Sequence, residues 1–473
     1  MRRSPAYPAL VLLALIFGAT TVSAKPMHSP EKMLMASPES VGMSTEGLRR
    51  IDDMMQEKID AGHIQGGATI VARHGKVVHF STHGEMDVEK GRVMEPDALY
   101  MMSSSEKPLV AVATLMLVEE GLISLSDPLS KFIPEFADQQ VAHAMNWGKE
   151  GRQKKDGKKE GKKGGDKKTW GKKEWGKKDS STKDSKKEWD KETGNKKGKD
   201  MASQHLVPVD APVTIHHMLT HTSGLTTGGV HRTKGESLAT YVHRLAKAPL
   251  TFQPGTRWVY SNVAFHIVLP RIIEIVSGTS YHQFMQEHLF NPLEMNNTYF
   301  DVPSKKMSKV ILRNDHKLKG GGGLLSTAED FLHFEQMLLN GGELFGHRLL
   351  REATVKMMGS NQVGDLFANS GKGAKAQKGM GFGYGVSVTL DAVAAGNGRG
   401  DGAFGWGGAA GTSSWTDPEN ALVVLGDMNT FEFTKELGAQ FTQRKSTISG
   451  SATAQPALVN LLGKASEGDR YTY

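Results

Sequence analysis

Met102-Ser103-Ser104-Ser105-Glu106-Lys107-Pro108 precedes a long apolar segment, Leu109 to Leu122, in which Leu109, Val112, Leu115 and Val118 recur at helical spacing. A serine and a lysine three apart at a helix start lie on one face, with Cβ atoms roughly 5–6 Å apart. Serine is a weak nucleophile until a base takes its proton. Lysine is such a base only where burial or a nearby cation lowers its pKa. Ser104 and Lys107 are therefore a candidate nucleophile–base pair. The same residues also read as a polar helix start with Ser104 or Ser105 as N-cap. Of the three serines, only Ser104 has a lysine at +3.

Two further stretches bear on the choice. In Phe252-Gln-Pro-Gly-Thr-Arg-Trp-Val-Tyr-Ser-Asn262, Pro254-Gly255 is a turn and Trp258 to Tyr260 is extended. Asn262 opens a helix through Ile267, Leu269, Ile272 and Ile275, with a kink expected at Pro270 and a stop at Gly278. A phenol near a lysine can shuttle a proton, and Asn262 can hydrogen-bond both a lysine and a carbonyl. Further on, Trp406-Gly407-Gly408-Ala409 lies between two predicted strands, Gly381–Val388 and Ala421–Asn429. Glycines at 407 and 408 admit close approach to the strand. Taken alone, this is equally a glycine-rich strand packing under a tryptophan.

Together these stretches resemble one family. Ala98 to Pro108, Leu117 to Pro128, Phe132-Ile-Pro-Glu-Phe136, Val213-Thr-Ile-His-His-Met-Leu-Thr-His-Thr-Ser-Gly-Leu225, Tyr260-Ser-Asn262 and Gly320 to Phe331 are similar to motifs of the serine β-lactamase and penicillin-binding-protein superfamily, and occur in its order. The nearest branch is the class C-related one. The resemblance implies an α/β (α+β) fold of β-lactamase/transpeptidase type: an antiparallel sheet flanked by helices, plus a mainly helical subdomain. It implies Ser104, Lys107 and Tyr260 as catalytic residues. Asn262, Trp406, Gly408 and Ala409 would face the substrate, with the N–H groups of Ser104 and Ala409 as oxyanion hole. It implies no cofactor. Trp-x-Gly, where other members carry Lys-Thr-Gly or His-x-Gly, is the form of the β-lactamase-like esterases. A carboxylic-ester hydrolase is therefore expected, with a β-lactamase or D-amino-acid peptidase as alternative. An envelope-binding scaffold that keeps the fold without catalysis is the alternative from another class. The substrate would be a small ester or amide. Glu106, where relatives carry threonine or valine, is expected to point outward.

The chain has 473 residues and no cysteine, which excludes disulfides, thiol catalysis and Cys-ligated zinc. His216, His217 and His221 fit no zinc signature, so no metal is expected; His221 is expected to hold its turn by hydrogen bonding. Arg2-Arg3, an apolar run Ala9–Ala19 and Val22-Ser-Ala24 read as a cleavable secretory leader, so the mature protein is expected to be periplasmic or secreted. Residues 147–200 hold 21 Lys+Arg against 11 Asp+Glu, net +10, leaving 37 against 40, net −3, for the rest of the chain. The basic character thus belongs to one insert, which also carries four of the seven tryptophans. Such a composition cannot bury enough apolar surface to offset chain entropy. It is expected to be a disordered loop, read either as a tolerated, solvated insertion or as a contact for an anionic envelope polymer or lipid, and not for nucleic acid. The expected layout is 1–24 leader, 25–43 linker, 44–443 hydrolase domain with the insert at 143–204, and 444–473 tail.

Overall fold

The computed structural model describes residues 33–143, 205–312, 323–370 and 377–427. The predicted leader, almost all of the basic insert, a helix expected at Phe431–Gln443 and the tail lie outside the described residues. Eight strands form the body of the main sheet: β1 (Leu34–Met35), β2 (Gly66–Arg73), β3 (Lys76–Asp87), β4 (Met380–Phe382), β5 (Ser387–Thr389), β6 (Phe404–Gly407), β7 (Thr412–Asp417) and β8 (Leu422–Asp427). Their spatial order is β1-β3-β2-β8-β7-β6-β5-β4, and a short strand, Arg92–Val93, pairs with the outer part of β3. Every pairing is antiparallel except β1 on β3. Pairing of Leu425 with Ile70 joins strands from distant parts of the chain into one sheet, as the resemblance implied.

Local sequence accounts for these elements. β2 and β3 turn at His74 and Gly75, both at positive φ (52° and 74°), the geometry that a two-residue hairpin requires. Alternate residues of β2 serve two faces. Val71 packs under the first helix, α1 (Thr45–Asp60), with Leu48 and Ile51. Ala68, Ile70 and Ala72 face the large core. Ser44 caps α1, its side chain accepting the Gly47 N–H at 3.2 Å.

On the large-core side lies α2 (Lys107–Glu119), apolar all round and buried from Lys107 to Leu117, as a helix with no polar face must be. The helical subdomain packs against it: α3 (Ile215–Leu219), α4 (Leu238–Leu245), a π-helical turn at Ala264–Val268 that runs into α5 (Leu269–Ser277), and α6 (Tyr281–Met285). A later helix, α7 (Ala328–Leu339), capped by Thr327, lies across β2, β7 and β8. Its buried Glu335 accepts hydrogen bonds from Ser414 and Thr416 of β7, and burial pushes that carboxyl up to about 7.

One expected strand is corrected. Gly381–Val388 is a tight hairpin of β4 and β5, not one strand: Gly385 takes φ 74°, and Gly383 sits so close to the Met358 carbonyl that a Cβ would meet its oxygen at 2.0 Å. The helix that Thr214 caps stops at Leu219, and His221 then turns the chain with φ 57°. The sequence carried no reading of the base of the insert. Gln140–His143 pairs with His205–Pro208, so a short ladder closes its base.

Candidate functional site

Ser103–Glu106 forms a 3₁₀ turn that runs directly into α2. Its first residue, Ser103, holds a left-handed φ of 48°, a strained conformation for a residue with a side chain. That bend separates the three serines. Ser105 is buried and its Oγ lies 3.0 Å from Thr412 Oγ1, pointing into the sheet. Ser104 alone faces the lysine, and Lys107 Nζ donates to its Oγ at 3.2 Å. From the subdomain, Tyr260 OH donates to the same Oγ at 2.5 Å. Asn262 Oδ1 accepts from Lys107 Nζ at 2.9 Å, and the lysine stands 4.7 Å from the centre of the Tyr260 ring. Residues 156 apart in sequence thus converge on one hydroxyl.

Lys107 is fully buried. Burial drives its pKa from the ordinary lysine range down to about 7, against the smaller upward pull of Glu106. The expectation that Glu106 points outward is wrong. It is 8% exposed and accepts a hydrogen bond from Tyr281 OH at 3.1 Å. Burial raises its own carboxyl to about 7, with the Tyr281 and Leu324 hydrogen bonds and Lys107 working the other way. Near neutral pH a fraction of Glu106 is therefore uncharged, which limits how far it can hold the lysine protonated. The partner that draws Glu106 inward, Tyr281, lies 175 residues away, beyond any local reading.

On the sheet side, the β6–β7 turn meets the serine turn. A Cβ at Gly408 would stand 2.3 Å from the Met102 carbonyl oxygen and 2.5 Å from Thr412 Oγ1. The Gly408 N–H turns back to Thr412 O at 2.7 Å. Ala409 follows in the turn between β6 and β7, and its N–H is the candidate second oxyanion donor. No hydrogen bond engages it among the described residues. Trp406 lies stacked on Tyr260 (6.0 Å between centroids, 24°) and edge-on to Phe382 (5.4 Å). It supplies an aromatic wall beside the hydroxyl and neither a cation nor a hydroxyl.

His221 bonds beyond its local turn: the Ser261 N–H donates to its Nδ1 at 3.1 Å, which ties that turn to the Tyr260–Asn262 segment. No group of three or more His, Cys, Asp or Glu suited to a metal occurs among the described residues. His266 went unread in the sequence. It sits in the π-helical turn with Nε2 3.3 Å from Lys107 Nζ. A histidine four residues after Asn262, inside an apolar helical pattern, was the available signal.

Sheet, buried helix and this cluster define a serine hydrolase. Within that class, the chain belongs to the β-lactamase family, whose model matches residues 51–145 and 192–447 and breaks across the basic insert. Protein Rv1367c of Mycobacterium tuberculosis is 27% identical over 341 residues, 66% of this chain and 71% of that protein. Esterase EstB of Burkholderia gladioli is 28% identical over 266 residues, 53% of this chain and 51% of the esterase. Among solved structures, EstCE1, described as a hydrolase with promiscuous acyltransferase activity, superposes with a TM-score of 0.59 at 20% identity, covering 84% of this chain and 98% of its own. Unliganded simvastatin synthase (LovD) from Aspergillus terreus gives 0.60 at 17%, covering 85% and 100%. These two establish likeness of fold.

Proposed function

We propose that the protein hydrolyses carboxylic esters through an acyl-enzyme on Ser104. The observation that carries this is the convergence of Lys107 Nζ and Tyr260 OH on Ser104 Oγ. A pKa of about 7 leaves about half of Lys107 neutral at neutral pH. Neutral Lys107 takes the hydroxyl proton as Oγ bonds to the acyl carbon and the carbonyl electron pair moves onto oxygen. The N–H groups of Ser104 and Ala409 hold that oxyanion. As the carbon–oxygen bond breaks, Tyr260 protonates the leaving alkoxide and is recharged from Lys107. Water repeats the sequence on the acyl-enzyme, releasing the acid and restoring Ser104. The aromatic wall at Trp406, without a cation to hold a substrate carboxylate, favours neutral esters over β-lactams and D-amino-acid peptides, and the name of Esterase EstB agrees. The same reading takes the chain as exported, on the leader pattern of residues 1–24, with the basic insert contacting an anionic envelope polymer or lipid.

The test is mass spectrometry after a fluorophosphonate probe, with p-nitrophenyl butyrate and nitrocefin turnover alongside. One adduct on Ser104 with butyrate turnover is expected. Nitrocefin turnover in its place moves the assignment to a β-lactamase, and an unlabelled, inactive protein sinks it in favour of a scaffold.

Gly408→Ala tests the oxyanion side. The added methyl cannot share space with the Met102 carbonyl, so the β6–β7 turn must withdraw from the serine turn and take the Ala409 N–H with it. Butyrate turnover is expected to fall about 10²-fold, the scale of losing one oxyanion donor. Fluorophosphonate labelling should slow in parallel, because the phosphonate oxygen uses the same donors. A variant with unaltered rates removes Ala409 from the mechanism.

A further inference from the structure

We infer that His266 is a positioning residue for the base: its imidazole accepts one N–H of Lys107 and, together with Asn262, turns the lysine lone pair onto Ser104. The inference rests on the ester-hydrolase reading above.

Three atoms surround Lys107 Nζ: Asn262 Oδ1 at 2.9 Å, Ser104 Oγ at 3.2 Å and His266 Nε2 at 3.3 Å. An ammonium has three donors and no acceptor. Facing one, Nε2 of His266 must be the bare nitrogen, and the imidazole carries its proton on Nδ1. A neutral amine has two N–H bonds and one lone pair. Asn262 Oδ1 and the bare His266 Nε2 can only accept, so each takes an N–H. The lone pair is left to the third direction, which is Ser104 Oγ–H. Once the proton has moved, three N–H bonds meet three acceptors, and the amine need not rotate. Both protonation states therefore fit one fixed cage, the pre-organisation on which a proton transfer depends.

His266 remains an acceptor because it does not charge. Burial and the nearby lysine hold its pKa down at about 3. The other ionisable groups around Lys107 are Glu106 beside it, Tyr260 across Ser104, and His221, kept neutral by complete burial. The backbone at His266 is unusual too. Pro270 follows four residues later, and its ring would meet the His266 carbonyl in a regular α-helix. The chain widens here into a π-turn, Ala264–Val268, and Pro270 then sits in the first turn of α5. Such turns occur often at functional sites, and this one presents His266 to Lys107.

The experiment compares wild type with His266→Leu and His266→Gln. It reads kcat/KM for p-nitrophenyl butyrate and the fluorophosphonate labelling rate at Ser104 from about pH 5 to pH 9. Leucine removes the acceptor, and the high-pH plateau is expected to fall about 10- to 100-fold. The acid limb should also move to lower pH, because the ammonium loses a charge-assisted hydrogen bond, stronger than the one the neutral amine loses. Glutamine can place an oxygen where Nε2 stood and is expected to recover most of the rate and the original limb. A residue that only filled space would change the plateau without moving the limb. Should the leucine variant not fold, His266→Asn, whose shorter amide does not reach Lys107, takes its place. Equal losses in the glutamine and leucine variants with an unmoved limb overturn the inference, as does a leucine variant indistinguishable from wild type. A wild-type adduct on a residue other than Ser104 sinks the ester-hydrolase reading and this inference together. Labelling of Ser104 that is indifferent to His266 sinks this inference alone.

Discussion

Ser104→Ala is expected to reduce ester turnover to the uncatalysed background, a loss on the order of 10⁴- to 10⁶-fold, and to abolish fluorophosphonate labelling. The size follows from the mechanism: without Oγ there is no acyl-enzyme, and Lys107 and Tyr260 are left with no hydroxyl to deprotonate. The fold should be indifferent. Ser104 contributes an acceptor to Lys107 and Tyr260 and little packing. The thermal midpoint is therefore expected to move by less than about 3 °C. Ser105→Ala is the comparison that fixes the register. Ser105 Oγ bonds to Thr412 and reaches neither Lys107 nor Tyr260, so its loss should cost at most about tenfold, through a shift of the β6–β7 turn. The reverse pattern, an inert Ser105→Ala and an active Ser104→Ala, would transfer the nucleophile to the neighbour and require a different Ser103 conformation from the φ of 48° seen here.

Much of the site was legible because its residues sit in short, ordered motifs. Ser104 and Lys107 are one helical turn apart, and Tyr260 and Asn262 flank the start of a later helix; spacing made each pair a candidate, and the family resemblance chose it over a capping serine and a turn tyrosine. The antiparallel sheet was legible through the family resemblance, with the strand at Ala421–Asn429 read directly; β8 spans Leu422–Asp427 within it. Legibility failed where the deciding partner is distant or where the backbone leaves a regular form. Glu106 reads locally as an exposed helix-start acid. Its burial is settled by Tyr281 and by the Leu324 backbone, both from other parts of the fold. His266 falls out of an α-helical wheel because the turn that carries it is not α-helical. The β4–β5 hairpin was hidden because Gly-x-Gly-x-Gly alternates like a strand, while the glycines are there to let the chain reverse against Met358.

Lys107→Met tests the base and the pH dependence together. Methionine matches the length and burial of the lysine stem while removing the amine, so the helix start should keep its packing. General-base loss is expected to cost about 10²- to 10⁴-fold in kcat/KM. The direction of the pH effect follows from which form works. Lysine acts as a base only when neutral, and its pKa is lowered from 10.5 to about 7 by burial. Wild-type activity should therefore rise with pH through about 7 and stay high above it, falling tenfold per unit on the acid side, because below that pH the amine holds a proton. In Lys107→Met that limb should vanish and leave a flat, low rate supported by the oxyanion donors. The neighbouring carboxyl sharpens the interpretation. Glu106 also titrates near 7 and its negative charge raises the lysine pKa, so the two groups share the limb and its apparent midpoint belongs to the pair. Were Glu106 the base, the limb would survive in Lys107→Met; were Lys107 the base, it would not. A surviving limb with a small loss of rate would therefore assign the proton to Glu106 and displace Lys107 from the mechanism. The geometry argues for the opposite outcome, since Lys107 Nζ contacts Ser104 Oγ directly while the Glu106 carboxylate is bonded to Tyr281 on the far side of the turn.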